Sequence, residues 1–164
     1  MGADLASIAH RLDTAMVIVT AASGDRRAGC LVGFHGQCSI SPPRYAVWIS
    51  TANHTHPVAA SAEVLAVHFL TADDHDLAEL FGGETGDDVD KFGLVEWHAG
   101  PGGVPLLDAC PHRLIGRRVA WHEGIGDHTC AVCEPLDVRI GEFVPLGLTD
   151  VEDVDAGHPA DESQ

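Results

Sequence analysis

Lysine is nearly missing from this chain. Lys91 is the only one in 164 residues, and nine basic side chains stand against 25 acidic ones, for a net charge of −16. Phosphate backbones and anionic lipid surfaces are attracted by clusters of lysine and arginine, so neither nucleic acid nor a membrane surface is an expected partner. Any anionic ligand has to be held by a local site. No apolar stretch approaches the roughly 20 residues needed to cross a bilayer, and the N-terminal MGADLASIAHRLD lacks the apolar core of a signal peptide, so the expected compartment is the cytoplasm. Gly-x-Ser-x-Gly and Walker-type loops are absent, which leaves hydrolase and nucleoside-triphosphatase readings without support. There is no internal repeat. The five cysteines, at 30, 38, 110, 130 and 133, are odd in number and scattered, unlike a secreted disulfide framework, and are read as reduced.

What is present is an ordinary globular composition, 45% hydrophobic and 21% charged, in a length that suits one domain with one sizeable core. Leu5, Ile8, Leu12 and Met16 recur at helical spacing and predict a short amphipathic helix over about 4–14. MVIVTAA (16–22), the turn at 23–25 and the apolar run 28–32 predict a hairpin, and YAVWIS (45–50) a third strand. Residues 65–70 predict a fourth strand, and DDHDLAELF (73–81) a helix with acids in its first turn. The glycine-rich stretch 82–104 reads as a surface excursion with a short strand near 95–98. Strands follow at 113–121, 128–136 and 138–144. Many short strands without sustained strand–helix alternation predict a mostly β fold, a closed or nearly closed barrel with a few short helices. No basic residue follows Arg139, and acids crowd the end, so a folded unit over 1–149 and a mobile acidic tail over 150–164 are expected.

Several segments could carry chemistry. In ISTANHTHPVAASA (49–62) a strand gives way to a polar turn and then to a helix with Pro57 in its first turn and Thr55 or His56 as its cap. Free N–H groups at such a helix start, with hydroxyl and amide side chains around them, make an anion pocket. Plain capping explains the same residues and is the commoner case. Cys130-Ala-Val-Cys133 has the C-x-x-C pattern, but no second pair stands at ligand spacing. On a strand, residues three apart point to opposite faces, so these sulfurs are read as small core hydrophobes. His54-Thr-His56 would place two imidazoles on one side, yet no third ligand can be nominated, and no metal is expected. Gly124-Ile-Gly126-Asp127-His128 reads as a tight turn presenting an aspartate and a histidine at a barrel end.

Taken in order, VIVTAA, AGCLVGF and QCSISPPR (28–44), ISTANHTH, DLAELFGG, DKF (90–92), GVPLLD (103–108) and GDH (126–128) resemble the flavin reductase family of short NAD(P)H:flavin oxidoreductases, from about Val17 to Glu142. The resemblance implies an FMN-binding split β-barrel of Greek-key-like topology. It implies that Leu31, Val32, Gly33, Phe34, Gln37, Cys38 and Ser39 wrap the isoalloxazine ring, largely through backbone groups. Ser50, Asn53, His54 and Thr55 would hold the flavin phosphate, and Lys91 and Phe92 would lie near the flavin or nicotinamide. Asp127 and His128 would meet the nicotinamide, with His128 the catalytic side chain. FMN is the implied cofactor, with FAD or F420 as alternatives, and NADH or NADPH the hydride donor. A homodimer and a partner monooxygenase fed with reduced flavin are also implied. The family's hydroxyl side chains are replaced here by Cys30-Leu31-Val32-Gly33-Phe34-His35, which keeps two other readings open: a flavin carrier or sensor without turnover, and an F420-dependent reductase of an organic substrate.

Overall fold

A computed structural model describes residues 4–83 and 89–155. Helix α1 (Leu5–Leu12) leads into a hairpin of β1 (Val17–Ser23) and β2 (Arg26–Val32); β3 (His35–Ser39) and β4 (Arg44–Ser50) form a second hairpin. Then come α2 (Thr55–Ser61), β5 (Val64–Phe69), α3 (His75–Gly83), the short β6 (Trp97–Ala99) and β7 (Pro105–Leu107), and the long hairpin β8 (Arg113–His122) and β9 (His128–Arg139). Seven strands form one antiparallel sheet in the order β2-β1-β5-β8-β9-β4-β3, and β6 pairs with β7 separately. The fold is mostly β, as the run of short strands predicts.

β1 lacks the polar–apolar alternation of a half-exposed strand because both of its faces are covered. Val17, Val19 and Ala21 enter the main core with Ile49, Leu65 and Val67, while Ile18 faces a second core of Leu70, Phe81, Phe92, Leu107, Leu146 and Val151. The sheet therefore curls around one core and is backed by another. β2 and β3, consecutive in sequence, are its two edges, so residues 33–34 cross the seam where the sheet fails to close.

Several expectations need correction. The strands expected at 128–136 and 138–144 are one strand, β9, which ends at Arg139; Pro135 is accommodated opposite Gly116, beside a bulge at Ile115 and Gly116. Residues 140–147 return as irregular chain touching Thr71 and Ala15 through single bridges. The 82–104 stretch is not all surface, since the 3-10 turn Lys91–Gly93 buries Lys91 and Phe92. The segment expected as a tail is in place through Asp155: Val151 is buried, Val154 packs beside it, and His10 and His75 pair with Glu152 and Asp153. Residues 156–164 lie outside the described residues. Helix α1 forms with Asp4 as its cap, but buries no side chain, leaving Leu5, Ile8 and Leu12 exposed.

Candidate functional site

The seam holds a cleft of about 220 Å³. One wall is the end of β2 and the link after it, Cys30 to Phe34. The opposite wall is Trp48 and Ser50 of β4 with His128, the first residue of β9. These strands alternate so that Val47 and Ile49 enter the core while Trp48 and Ser50 face the cleft. Met16 and Leu148 close one side, held together because Met16 N–H donates to the Leu146 carbonyl (2.7 Å) and Leu148 N–H to that of Thr14 (3.0 Å). Asn53 closes the other. Among the described residues the lining contains no lysine, arginine or carboxylate.

Among the described lining residues His128 carries the one imidazole, and it is held on two sides. Its Nδ1 lies 2.7 Å from Asp127 Oδ1, and its ring sits 4.9 Å from that of Phe34 across the cleft. With Nδ1–H donating to the carboxylate, Nε2 is left to address a ligand. The turn carrying this pair needs Gly124 and Gly126, whose φ values of +80° and +152° disfavour a side chain. It is pinned to the turn that follows β4, because Thr51 donates both N–H (2.9 Å) and Oγ1–H (3.1 Å) to the Asp127 carbonyl.

The polar turn before α2 differs from its expected form. The cap position is His54, ahead of the expected Thr55 or His56, and the turn's own groups occupy most of its N–H donors. Asn53 N–H donates to the Ser50 carbonyl, Ala52 N–H to Ser50 Oγ, Thr55 N–H to Asn53 Oδ1 and His56 N–H to the Asn53 carbonyl. Of these residues Ser50 and Asn53 line the cleft, whereas His54 takes the cap position and is not among the described cleft-lining residues. Thr55 is buried, its hydroxyl against the Cys30 thiol, whose pKa burial pushes up to about 11. That thiol stays protonated and is no nucleophile. His56 turns away from the cleft to Thr129 Oγ1 (2.8 Å) and the Trp121 ring.

The structure therefore brings together Leu31, Val32, Gly33, Phe34, Ser50, Asn53 and His128, with Asp127 behind the histidine. It does not bring in Gln37, Cys38 and Ser39, which border a separate open depression with Ile40 and Ser41. Nor does it bring in Lys91 and Phe92. Lys91 Nζ is buried, donating to the carbonyls of Phe81 (3.0 Å) and Gly29 (3.2 Å), and Phe92 packs in the second core. Sequence reasoning missed Met16, Trp48 and Leu148. Trp48 was marked by its alternation with core residues, whereas Met16 and Leu148 meet only through long-range pairing. The Cys130 and Cys133 side chains diverge as expected: both are free and buried, with Cys133 in the main core and Cys130 outside it. Away from the cleft, ligand atoms of His75, Asp76 and Glu79 lie within 4.8 Å of one another at the exposed start of α3.

Residues 9–150 match the pattern of the flavin reductase like domain. The chain belongs to the flavin reductase-like family. An FMN reductase (NADH), RutF, of Stutzerimonas stutzeri is 31% identical over 130 residues, covering 78% of this chain and 72% of that one. An FMN reductase (NADH), SmoA, of Agrobacterium fabrum is 31% identical over 135 residues, covering 81% and 74%. The crystal structure of an FMN-binding protein from Thermus thermophilus superposes with a TM-score of 0.75 at 25% identity, over 84% of this chain and 76% of that one. In flavin reductase-like terms, the cleft at the sheet's open seam is the candidate active site.

Proposed function

We propose that this protein is a flavin reductase that uses NADH to reduce FMN. The observation that carries the reading is the cleft itself: a mostly apolar slot bordered by Gly33 and Phe34, faced by an oriented imidazole, with no lysine, arginine or carboxylate among its described lining residues. Such a site suits a reaction in which two rings supply the chemistry, a hydride passing from nicotinamide C4 to flavin N5, and the protein supplies proximity and exclusion of water. Leu31, Val32 and Phe34 provide the apolar contact surface. Gly33 lets the backbone approach a ring closely, so its N–H and C=O can read the ring's polar edge in place of the hydroxyls missing from this segment. Ser50, Asn53 and His54 would take the flavin phosphate. His128, oriented by Asp127, would meet the nicotinamide or its carboxamide.

The absence of lysine and arginine from the described lining favours NADH over NADPH, whose additional phosphate would find no cation there. At about 220 Å³ the cleft is smaller than the roughly 300–1,000 Å³ of ligand sites that enclose a whole molecule. A second copy covering exposed Phe34 would complete it, so a homodimer is part of the proposal. Reduced flavin released from so open a site would supply a separate monooxygenase. The altered segment from Cys30 to Gly36, with its missing hydroxyls, favours one other reading, a carrier that binds flavin without turnover.

An absorbance titration with FMN followed by NADH without oxygen tests this. Saturable binding and bleaching of the flavin band at about one NADH per flavin support the reductase. Binding without bleaching by either nicotinamide supports the carrier, and no binding removes both.

A further inference from the structure

β2 is an edge strand, paired with β1 on one side only, yet its last residues form a wall of the cleft. An edge strand has carbonyls with no ladder partner and is free to shift unless something outside the sheet holds it. Here that outer side is taken by the end of α3 and by the chain's single lysine. Lys91 Nζ donates to the Gly29 carbonyl of β2 at 3.2 Å and to the Phe81 carbonyl of α3 at 3.0 Å, and lies 5.5 Å from the Phe81 ring centroid. The helix fits against the strand with no room to spare. A Cβ on Gly29 would meet Phe81 Cε1 at 2.9 Å, and one on Gly82 would meet Leu31 Cδ2 at 2.7 Å and Leu31 Cβ at 3.1 Å.

An ammonium this deeply buried, with 5% of the residue exposed, depends on the groups that accept its protons. Two of those are main-chain carbonyls on separate elements, one of them directly before Cys30. Moving β2 outward lengthens a charge-assisted hydrogen bond in a medium of low dielectric, which is costly; moving α3 does the same from the other side.

We propose that Lys91 is a positioning residue for the flavin wall. It ties the free edge of β2 at Gly29 to the C-terminal end of α3 at Phe81, and so sets where Leu31, Val32, Gly33 and Phe34 stand without itself touching the ligand. The inference rests on the flavin reading of the cleft, and assigns Lys91 a different task from contact with flavin or nicotinamide. Loss of the tie is expressed as weaker flavin binding, with hydride transfer little altered once flavin saturates.

The test compares wild type, Lys91→Met and Lys91→Arg by FMN titration, by KM for FMN and kcat at saturating NADH, and by thermal melting. The wild type serves as the check on the underlying reading, since failure of the wild type to bind FMN refutes that reading before any variant is compared. Given wild-type binding, Lys91→Met is expected to raise Kd and KM for FMN at least tenfold with kcat within threefold. Lys91→Arg, which keeps the charge and its donors, is expected to restore most of the affinity. Lys91→Met with unchanged FMN affinity, even with a lowered melting temperature, overturns the proposal, as does a loss confined to kcat. If Lys91→Met does not fold, Gly82→Ala presses on Leu31 from the helix side with the ammonium intact. A threefold or greater rise in Kd for FMN supports the brace, and an unchanged Kd overturns it.

Discussion

His68 shows how a single side chain couples the fold to pH. It is fully buried between β1 and β7: Nδ1–H donates to the Ile18 carbonyl (3.1 Å), and Nε2 accepts the Leu107 N–H (3.1 Å). A ring that donates from one nitrogen and accepts at the other is neutral, and burial, assisted by the nearby Arg113 charge, lowers its pKa to about 4. The unfolded chain takes up this proton near 6.5 and the folded chain only near 4. The residue's contribution is therefore complete above about pH 6.5 and is lost as the pH falls toward 4, by about 3 kcal/mol in all. Urea unfolding at intervals between pH 7 and 4 is expected to show this decline, and His68→Asn to flatten it; equal slopes for the two proteins would refute the assignment. Nothing in VLAVHFL marks His68 as a two-sided linker, because both partners are main-chain groups on other strands. Asp127 and His128, by contrast, were legible, since the glycines around them announce the turn and their adjacency makes the pair.

Short α2 depends on its neighbours. It has seven residues and no side-chain cap at its start, too few to be stable alone. What holds its end is Arg118 of β8, whose guanidinium donates to the carbonyls of Ala60 (2.9 Å) and Ala62 (3.0 Å) while lying over the Trp121 ring. A cation on the last carbonyls of a helix also complements its dipole. Arg118→Ala is expected to cost about 1–3 kcal/mol of unfolding free energy, and, since α2 follows the Ser50 to His54 turn, to weaken FMN binding as well; a chemical-denaturation curve coincident with wild type would count against it. The sequence made α2 visible through Pro57 and the polar turn, and β1 visible through its β-branched run. It hid β3, whose HGQCS has neither alternation nor β-branched residues and is a strand only because β4 offers it a partner. It also split β9 at Asp137, where a charged residue separates two apolar runs, although the ladder with β8 continues through a bulge to Arg139.

The net charge of −16 acts beyond any one contact. NADH is itself an anion, and the described cleft carries no lysine or arginine to draw it in, so approach is opposed at low salt and eased as the Debye length shortens from about 30 Å at 0.01 M to about 8 Å at 0.15 M. Stopped-flow association of NADH with the FMN-loaded protein is expected to speed up over that range; rates that fall with salt would contradict it. The mostly β architecture and the order of its motifs were readable along the chain. That the two edges of the sheet are consecutive strands, and that the segment joining them is also a wall of the cleft, was not, because strand order is set by pairings between residues far apart.

That arrangement has a kinetic corollary. In a closed barrel, widening the mouth enough to let a planar molecule slip out means unzipping a pair of strands. Here β2 and β3 share no ladder, so no strand pair of the sheet has to separate for a molecule to pass between them. Exchange then need not disturb the ladder hydrogen bonds that hold the scaffold together, and with β2 tied at Gly29 any give at the seam falls to the link at 33–34. A vessel built this way suits cargo that is exchanged at each turnover, and suits poorly a prosthetic group meant to stay.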